Sequence, residues 1–426
     1  MSSMPIFNDA CNLSLTTQQA LALDRETLNT ITPPPIAMTP EIERLVALNA
    51  PVAYGSSGGK DGTAAAFAFD EYLNSVGHSG QRVVVHSDLG SLEWKDSRPS
   101  CERLARALNL DMVVVKPLRG MLERWQYRWG CNIERYVNLN CVKLIQPWSS
   151  SQWRFCTSDK FAAITRFLAN YFPGQTIISV SGIRRQESPD RAKAPVHNYD
   201  DKFNRAAARD GSHGITRGVS YRPIIDWLVQ HVIAKLHQKQ FVFHNGYSHY
   251  GMDRVSCFFC VLSSLAGLMS SLSNPDHHDV YRALCGLEAK SSFSFQSRRW
   301  LSDLDNSGIL DAETKAMVAE AKEKAALRER IESTIPDHLF YCQHWPKVIP
   351  TPKEAELLAR VRTTVAGLIG IPILYNDPAS IIARYEELME LKMKRQAKNR
   401  GKKVPGGACD STNQESAGTT IQHTLW

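Results

Sequence analysis

Apolar and polar positions follow two different rhythms along this chain. Between residues 49 and 240, short runs at Val52-Ala53-Tyr54, Arg82 to His86, Met112 to Val115 and Thr176 to Val180 alternate with longer stretches of helical spacing. Brief, nearly continuous β-branched runs predict strands covered on both faces. The stretches between them predict helices over Thr63 to Val76, Pro99 to Leu108, Met121 to Val137 and Thr157 to Tyr171. A further helix starts at Thr39-Pro40-Glu41, where a capping hydroxyl, a first-turn proline and an early acid coincide. The expected fold is α/β: a parallel sheet with helices on both faces.

From about residue 226 the pattern turns mostly helical, with segments predicted at Asp226 to His237, Leu262 to Leu272, Asp279 to Leu287, Ala312 to Ile331 and Pro378 to Lys394. The chain therefore divides into a lead-in over 1–48, an α/β domain over 49–240, a helical extension over 241–300 that holds a CxxC pair, a helical region over 301–395 and a basic tail over 396–426. The tail is expected to be disordered, because Gly, Ser, Thr and Asn dominate it and little in it can pack. There is no internal repeat.

Composition narrows the function classes. With 43% hydrophobic and 22% charged residues, the chain suits a soluble globular protein. No apolar run approaches the roughly 18 residues that span a bilayer, and the N-terminus lacks a signal-peptide layout, so a cytoplasmic location without membrane partners is expected. The net charge of +7 sits in one place: Lys392, Lys394, Arg395, Lys398, Arg400, Lys402 and Lys403 form a run without acids. Setting those seven aside leaves 43 basic residues against 43 acidic ones. This run reads as a solvated helix end, or as a nucleic-acid contact acting by counterion release. Of ten cysteines, only Cys257-Phe258-Phe259-Cys260 has a spacing that brings two thiols to one metal.

The segment Tyr54-Gly55-Ser56-Ser57-Gly58-Gly59-Lys60-Asp61-Gly62-Thr63 lies where the first strand hands over to a helix. Paired glycines let backbone N–H groups close on an anion, the helix N-terminus adds partial positive charge, and Lys60 adds a full one. The spacing matches neither GxxxxGK[ST] nor GxGxxG. A tight turn chosen for geometry alone is the competing reading.

Ser57-Gly58-Gly59-Lys60-Asp61 resembles the SGGxDS signature of the PP-loop ATP pyrophosphatases. Three further segments are similar to the phosphoadenosine phosphosulfate (PAPS) reductase branch: His86-Ser87-Asp88-Leu89-Gly90, Arg154-Phe155-Cys156-Thr157-Ser158-Asp159-Lys160, and Ser181-Gly182-Ile183-Arg184-Arg185-Gln186-Glu187-Ser188-Pro189-Asp190-Arg191. Tyr221 to Trp227 and Arg254 to Cys260 resemble its phage and prophage members, so the likeness runs in order over about residues 50 to 290. It implies that Ser56, Ser57, Gly58, Gly59, Lys60 and Asp61 hold the nucleotide phosphates or the sulfate end of ATP or PAPS. Asp88 would lie near the nucleotide or its Mg2+. Arg184, Arg185 and Arg191 would supply guanidinium charge, for which forked donors suit better than ammonium. Lys60, Asp61, Arg184 and Cys156 are the implied catalytic set. The last Ser of the signature is Gly62 here, and Thr63 is the candidate to replace its hydroxyl.

Two chemistries share this scaffold: ATP-dependent sulfur transfer with pyrophosphate release, and reduction of PAPS to sulfite by a cysteine thiolate. Reductases of the second kind carry a C-terminal ECGLH segment, whereas Gln422 to Trp426 contain no cysteine, and Cys285 fits a packed helix position. A protein supplying sulfur or electrons is an implied partner. Cys156, Cys257 and Cys260 are candidate ligands for a 4Fe-4S cluster or, with His249, for zinc; reduced core cysteines are the alternative. His277-His278-Asp279 reads as a helix start, and Trp125, Tyr127, Arg128 and Trp129 as an amphipathic helix. A nucleotide-sensing regulator that touches DNA through its basic tail is the reading without catalysis.

Overall fold

A computed structural model of the protein describes residues 15–150, 153–206, 215–341 and 345–400. Cys11, Cys342, Cys409 and the part of the basic tail beyond Arg400 lie outside the described residues.

The strands form in the order the apolar runs suggest: β1 Val52–Ser56, β2 Arg82–Ser87, β3 Met112–Val115 and β4 Thr176–Val180. Three strands were not legible in the sequence: β5 His197–Tyr199, β6 Arg205–Ala206 and β7 Ile215–Tyr221. The sheet order is β3-β2-β1-β4-β7-β5, with β6 also paired to β7. β1 to β4 and β7 run parallel, while β5 and β6 are antiparallel to β7. Every parallel strand therefore delivers its following loop to the same edge.

Strand alternation sends residues to two cores. Val52, Tyr54, Val84, Ile178, Val180, Val219 and Tyr221 pack with the helices Pro40–Ala47, Lys60–Ser75, Ser97–Leu108 and Val229–Gln238. Ala53, Val83, Val85, Val113, Val115 and Ile177 pack on the opposite side with Ala163, Phe167 and Leu168 of the helix Phe155–Tyr171. Helices thus cover both faces. The run Ala64 to Phe69 is buried, so the Lys60 helix sits against the sheet with its first turn fixed at the end of β1.

The described chain forms two compact units. The first holds the sheet and is built from residues up to Gly120 together with Arg154–Pro275. The second is helical, built from Met121–Trp153 and the chain from Asp276 onward. Its helices are Met121–Val137, His278–Ser291, Ala312–Glu332, Pro352–Ile369 and Pro378–Arg400. Trp125 and Trp129 are buried there and Tyr127 is exposed, as an amphipathic helix requires. Cys285 is buried in the His278–Ser291 helix. Glu288 is also buried; it accepts the backbone N–H groups of Phe295 and Leu301 on Oε1 at 2.8 and 2.7 Å and that of Ser302 on Oε2 at 3.1 Å. No helix among the described residues is long and apolar enough to cross a membrane.

Candidate nucleotide site

The loop after β1 turns because Gly58 takes φ +75° and Gly59 returns to an extended conformation as the helix N-cap. Gly58 is required twice over. Beyond its left-handed backbone, a Cβ there would lie 3.0 Å from His244 Cδ2, 3.0 Å from Ser100 Cβ and 3.1 Å from the Ser97 carbonyl. No N-cap side chain satisfies the first helical turn. The Lys60 amide donates to Tyr247 Oη at 3.1 Å, while the amides of Gly59, Asp61 and Gly62 meet no acceptor among the described residues. These donors lie at a helix N-terminus, where backbone dipoles favour negative charge.

Beside this turn lies a buried charge cluster. Lys60 Nζ contacts Asp61 Oδ2 at 2.9 Å and donates to the Asp253 carbonyl at 3.1 Å. Arg184 Nε donates to Asp61 Oδ1 at 2.7 Å, and its Nη1 reaches Gln186 Oε1 at 2.5 Å and the Trp227 carbonyl at 3.3 Å. Lys60 and Arg184 are each only 4% exposed. Burial alone would raise the Asp61 pKa, but Lys60 and Arg184 outweigh it and hold the carboxyl below its usual range. Arg184 therefore positions Asp61, and its guanidinium is turned inward.

Gly182 brings the Arg184 segment close. A Cβ at Gly182 would lie 2.2 Å from the Asp61 carbonyl carbon and 2.3 Å from the Gly62 nitrogen, so only glycine lets the loop after β4 touch the Lys60 helix. Thr63 does not replace the missing hydroxyl. Its side chain is buried and donates to the Gly59 carbonyl at 3.0 Å, one turn back along the helix. This corrects the expectation for Thr63: a threonine in a helix's first turn finds a backbone carbonyl of its own helix before it can face outward.

The remaining expected residues sit on the same edge of the sheet. Ser56 is buried, with its Oγ accepting from Cys101 Sγ at 3.2 Å and from the Gly58 amide at 3.4 Å, so it braces the loop from below. Asp88 follows β2 and is paired with Lys116 at 2.8 Å while accepting the Gly90 amide at 2.8 Å. Arg185 pairs with Asp226, and Arg191 with Glu187. Both guanidinium groups are partly exposed.

Several contributors were missed by sequence reasoning. Tyr247 is buried, accepts the amides of Lys60 and Val255 on its hydroxyl, and faces Lys60 Nζ with its ring at 5.3 Å. No sequence signal marks it. His244 accepts the Gly246 amide on Nδ1 at 2.8 Å, which puts its proton on Nε2 toward Ser97 Oγ at 3.3 Å. Burial pushes its pKa down to about 4, so the ring backing Gly58 is neutral. His86, quoted only as part of a motif, is fully buried between Glu93 and Cys101. Its Nε2 lies 3.1 Å from Glu93 Oε1, within ion-pair distance but poorly aligned for a hydrogen bond. Burial alone would lower its pKa; the contacts with Cys101 and Glu93 push it up to about 10, so an imidazolium sits below the loop.

Cys257 and Cys260 are half-buried free thiols whose side chains are hydrogen-bonded to each other. Cys156, at the start of the Phe155–Tyr171 helix, lies near enough to act electrostatically on Cys257. Among the described residues, no group of three or more His, Cys, Asp or Glu side chains is arranged to hold a metal ion. Cys156, Cys257 and Cys260 thus do not form a ready-made three-ligand set for a cluster or zinc among the described residues.

Residues 52–262 match the family model described as the phosphoadenosine phosphosulfate reductase domain. The chain belongs to the PAPS reductase family, within the PP-loop superfamily. The match covers the whole α/β sheet, the phosphate loop and the CxxC pair, and makes this unit a nucleotide-binding PP-loop enzyme domain. None of the curated proteins matches the chain.

Proposed function

We propose that this PAPS reductase family member binds ATP at the β1 loop and uses it for sulfur transfer, releasing pyrophosphate. The observation that carries the reading is the set of amides at Gly59, Asp61 and Gly62 that meet no acceptor among the described residues, beside the buried Lys60–Asp61–Arg184 cluster. A polyphosphate chain presents several oxygens in a row, and a helix N-terminus with successive amides suits such a ligand. As pyrophosphate departs, charge grows on oxygens that these fixed donors already face, which is how a preorganised site lowers a barrier. Lys60 and the imidazolium of His86 add positive charge without needing to reorient. Arg185 and Arg191, on the neighbouring loop, are available to exchange a carboxylate partner for a phosphate oxygen.

A second reading, reduction of PAPS to sulfite, draws support from the position of the CxxC pair. The Val255 carbonyl would lie 3.8 Å from a Cβ at Gly59, two residues before Cys257. Pyrophosphate release measured with ATP and sulfide tests the first reading, and PAPS-dependent sulfite formation tests the second. If neither appears while nucleotide still binds, both enzymatic readings fail. A regulator is then left, and its DNA affinity should fall with salt and vanish on deleting residues 392–426.

A further inference from the structure

The Arg254–Cys260 segment is built around a strained turn. The chain reverses at Phe258 and Phe259, and Phe259 adopts φ +48°, a left-handed conformation that bulky side chains rarely take. Phe259 is completely buried, and the Phe258 amide donates to the Leu92 carbonyl at 3.1 Å, so packing enforces the strain. The result brings Cys257 and Cys260 within hydrogen-bonding reach. Residues flanking a two-residue turn stand within about 7 Å of one another, close to the span a disulfide bridges. Arg254 and the Leu262 amide lie near Cys260, Lys160 and Cys156 lie near Cys257, and the Ser256 hydroxyl donates to the Cys257 carbonyl at 3.2 Å, inside the turn.

The same segment clamps the phosphate loop. Asp253 supplies the carbonyl that Lys60 Nζ donates to, and the Val255 amide shares Tyr247 Oη with the Lys60 amide. Three residues thus separate the loop's tether at Asp253 from the first cysteine.

We propose that Cys257 and Cys260 form a reversible dithiol–disulfide pair that reacts with small-molecule disulfides and whose oxidation state alters nucleotide binding at the β1 loop. In the reaction, the Cys260 thiolate attacks one sulfur of the disulfide, forming a mixed disulfide and releasing one thiolate. Cys257 loses its proton to solvent and attacks the Cys260 sulfur, forming the Cys257–Cys260 bond and expelling the second thiolate. Two protein thiols are oxidised and one external disulfide is reduced to two thiols. Reducing thiols run the sequence backward.

The test equilibrates the full chain with mixtures of reduced and oxidised glutathione, traps it with acid and iodoacetamide, and maps the cysteines by peptide mass spectrometry. A cross-link between Cys257 and Cys260 that titrates with the glutathione ratio is expected. A Cys257→Ala variant should accumulate a glutathione adduct on Cys260, and Cys260→Ala should form no cross-link. Affinity for a fluorescent ATP analogue should differ at least threefold between the reduced and oxidised wild-type protein, and by less than that in Cys257→Ala. A bond to Cys156 instead, unmodified Cys257 and Cys260 at every ratio, stoichiometric iron or zinc on these thiols in freshly purified protein, or equal nucleotide affinity in both states would each overturn the proposal. None of these readouts needs turnover, so the proposal and the assignment of ATP-dependent sulfur transfer can fail independently.

Discussion

At the scale of single residues, the site is governed by charges that cancel and by space that only glycine leaves. Asp61 holds Lys60 and Arg184 in one buried cluster. Removing one member of such a group typically costs about 3–5 kcal/mol, because the others stay buried without a partner. Asp61→Asn should therefore lower the unfolding free energy by about 3 kcal/mol at pH 7. Since the folded pKa of Asp61 is depressed, its contribution is present above the unfolded value near 3.8 and is lost as pH falls through the folded value. Urea titrations of both proteins measure the loss, and a difference below about 0.5 kcal/mol at pH 7 would dissolve the cluster as a structural unit. Gly182→Ala acts through space alone. Its added methyl group would meet the backbone of Asp61 and Gly62, which cannot swing aside as a flexible side chain can. A loss of at least about 2 kcal/mol is expected in the same titrations, accompanied by weaker ATP binding because the Lys60 helix must shift. Normal stability and affinity in this variant would mean that the two loops do not touch as described.

At the scale of elements, the Lys60 helix is both the sheet's packing partner and the floor of the site, and its first turn departs from the family's signature at one residue. A Cβ at Gly62 would meet only the Gly55 carbonyl at 3.5 Å, ordinary van der Waals contact. Gly62→Ser should thus fit, raise helix stability by about 0.5 kcal/mol and add a hydroxyl beside amides that have no protein acceptor among the described residues. Tighter ATP binding, by several-fold, is expected in an equilibrium titration. Unchanged affinity would place the phosphate away from this turn. Much of this element was legible in the sequence, since the strand, the glycine pair and the apolar helix follow one another in plain order. Its start was read three residues late, because Lys60, Asp61 and Gly62 look like loop residues when the cap is a glycine without a side chain. β5 and β7 went unread for another reason. His197-Asn198-Tyr199 and Ile215-Thr216-Arg217-Gly218 have little apolar continuity, and they become strands by pairing with each other and with β4 rather than by their own propensity. Tyr247 and His244 were illegible for a related reason: they reach the loop through tertiary packing, and neither belongs to a spacing pattern.

At the scale of the whole molecule, buried ionisable groups set how stability follows pH. Glu288 lies in the helical unit, and burial pushes its pKa up to about 7, outweighing the three amides it accepts. Its folded pKa exceeds the unfolded value near 4.5, so the folded state holds the extra proton between those limits. Its own contribution to stability must then fall as pH rises from about 4.5 to 7, by roughly 3 kcal/mol if the full shift is expressed. His86 works in the same direction over a higher range. Raised to about 10, it stabilises the fold fully below its unfolded value near 6.5 and loses that contribution as pH climbs toward 10. Asp61 opposes them only in strong acid. His244, lowered to about 4, opposes Glu288 between about pH 4.5 and 6.5, because the unfolded state binds its proton there and the folded state does not. Thermal unfolding of the wild type and two variants, followed from pH 4 to pH 9, separates the two raised groups from the rest. Glu288→Gln should make the midpoint change with a more positive slope than the wild type between pH 5 and 7, whatever its own midpoint, and His86→Gln should do the same above pH 7. Slopes identical to the wild type in both variants would mean that neither buried group keeps its proton in the folded protein.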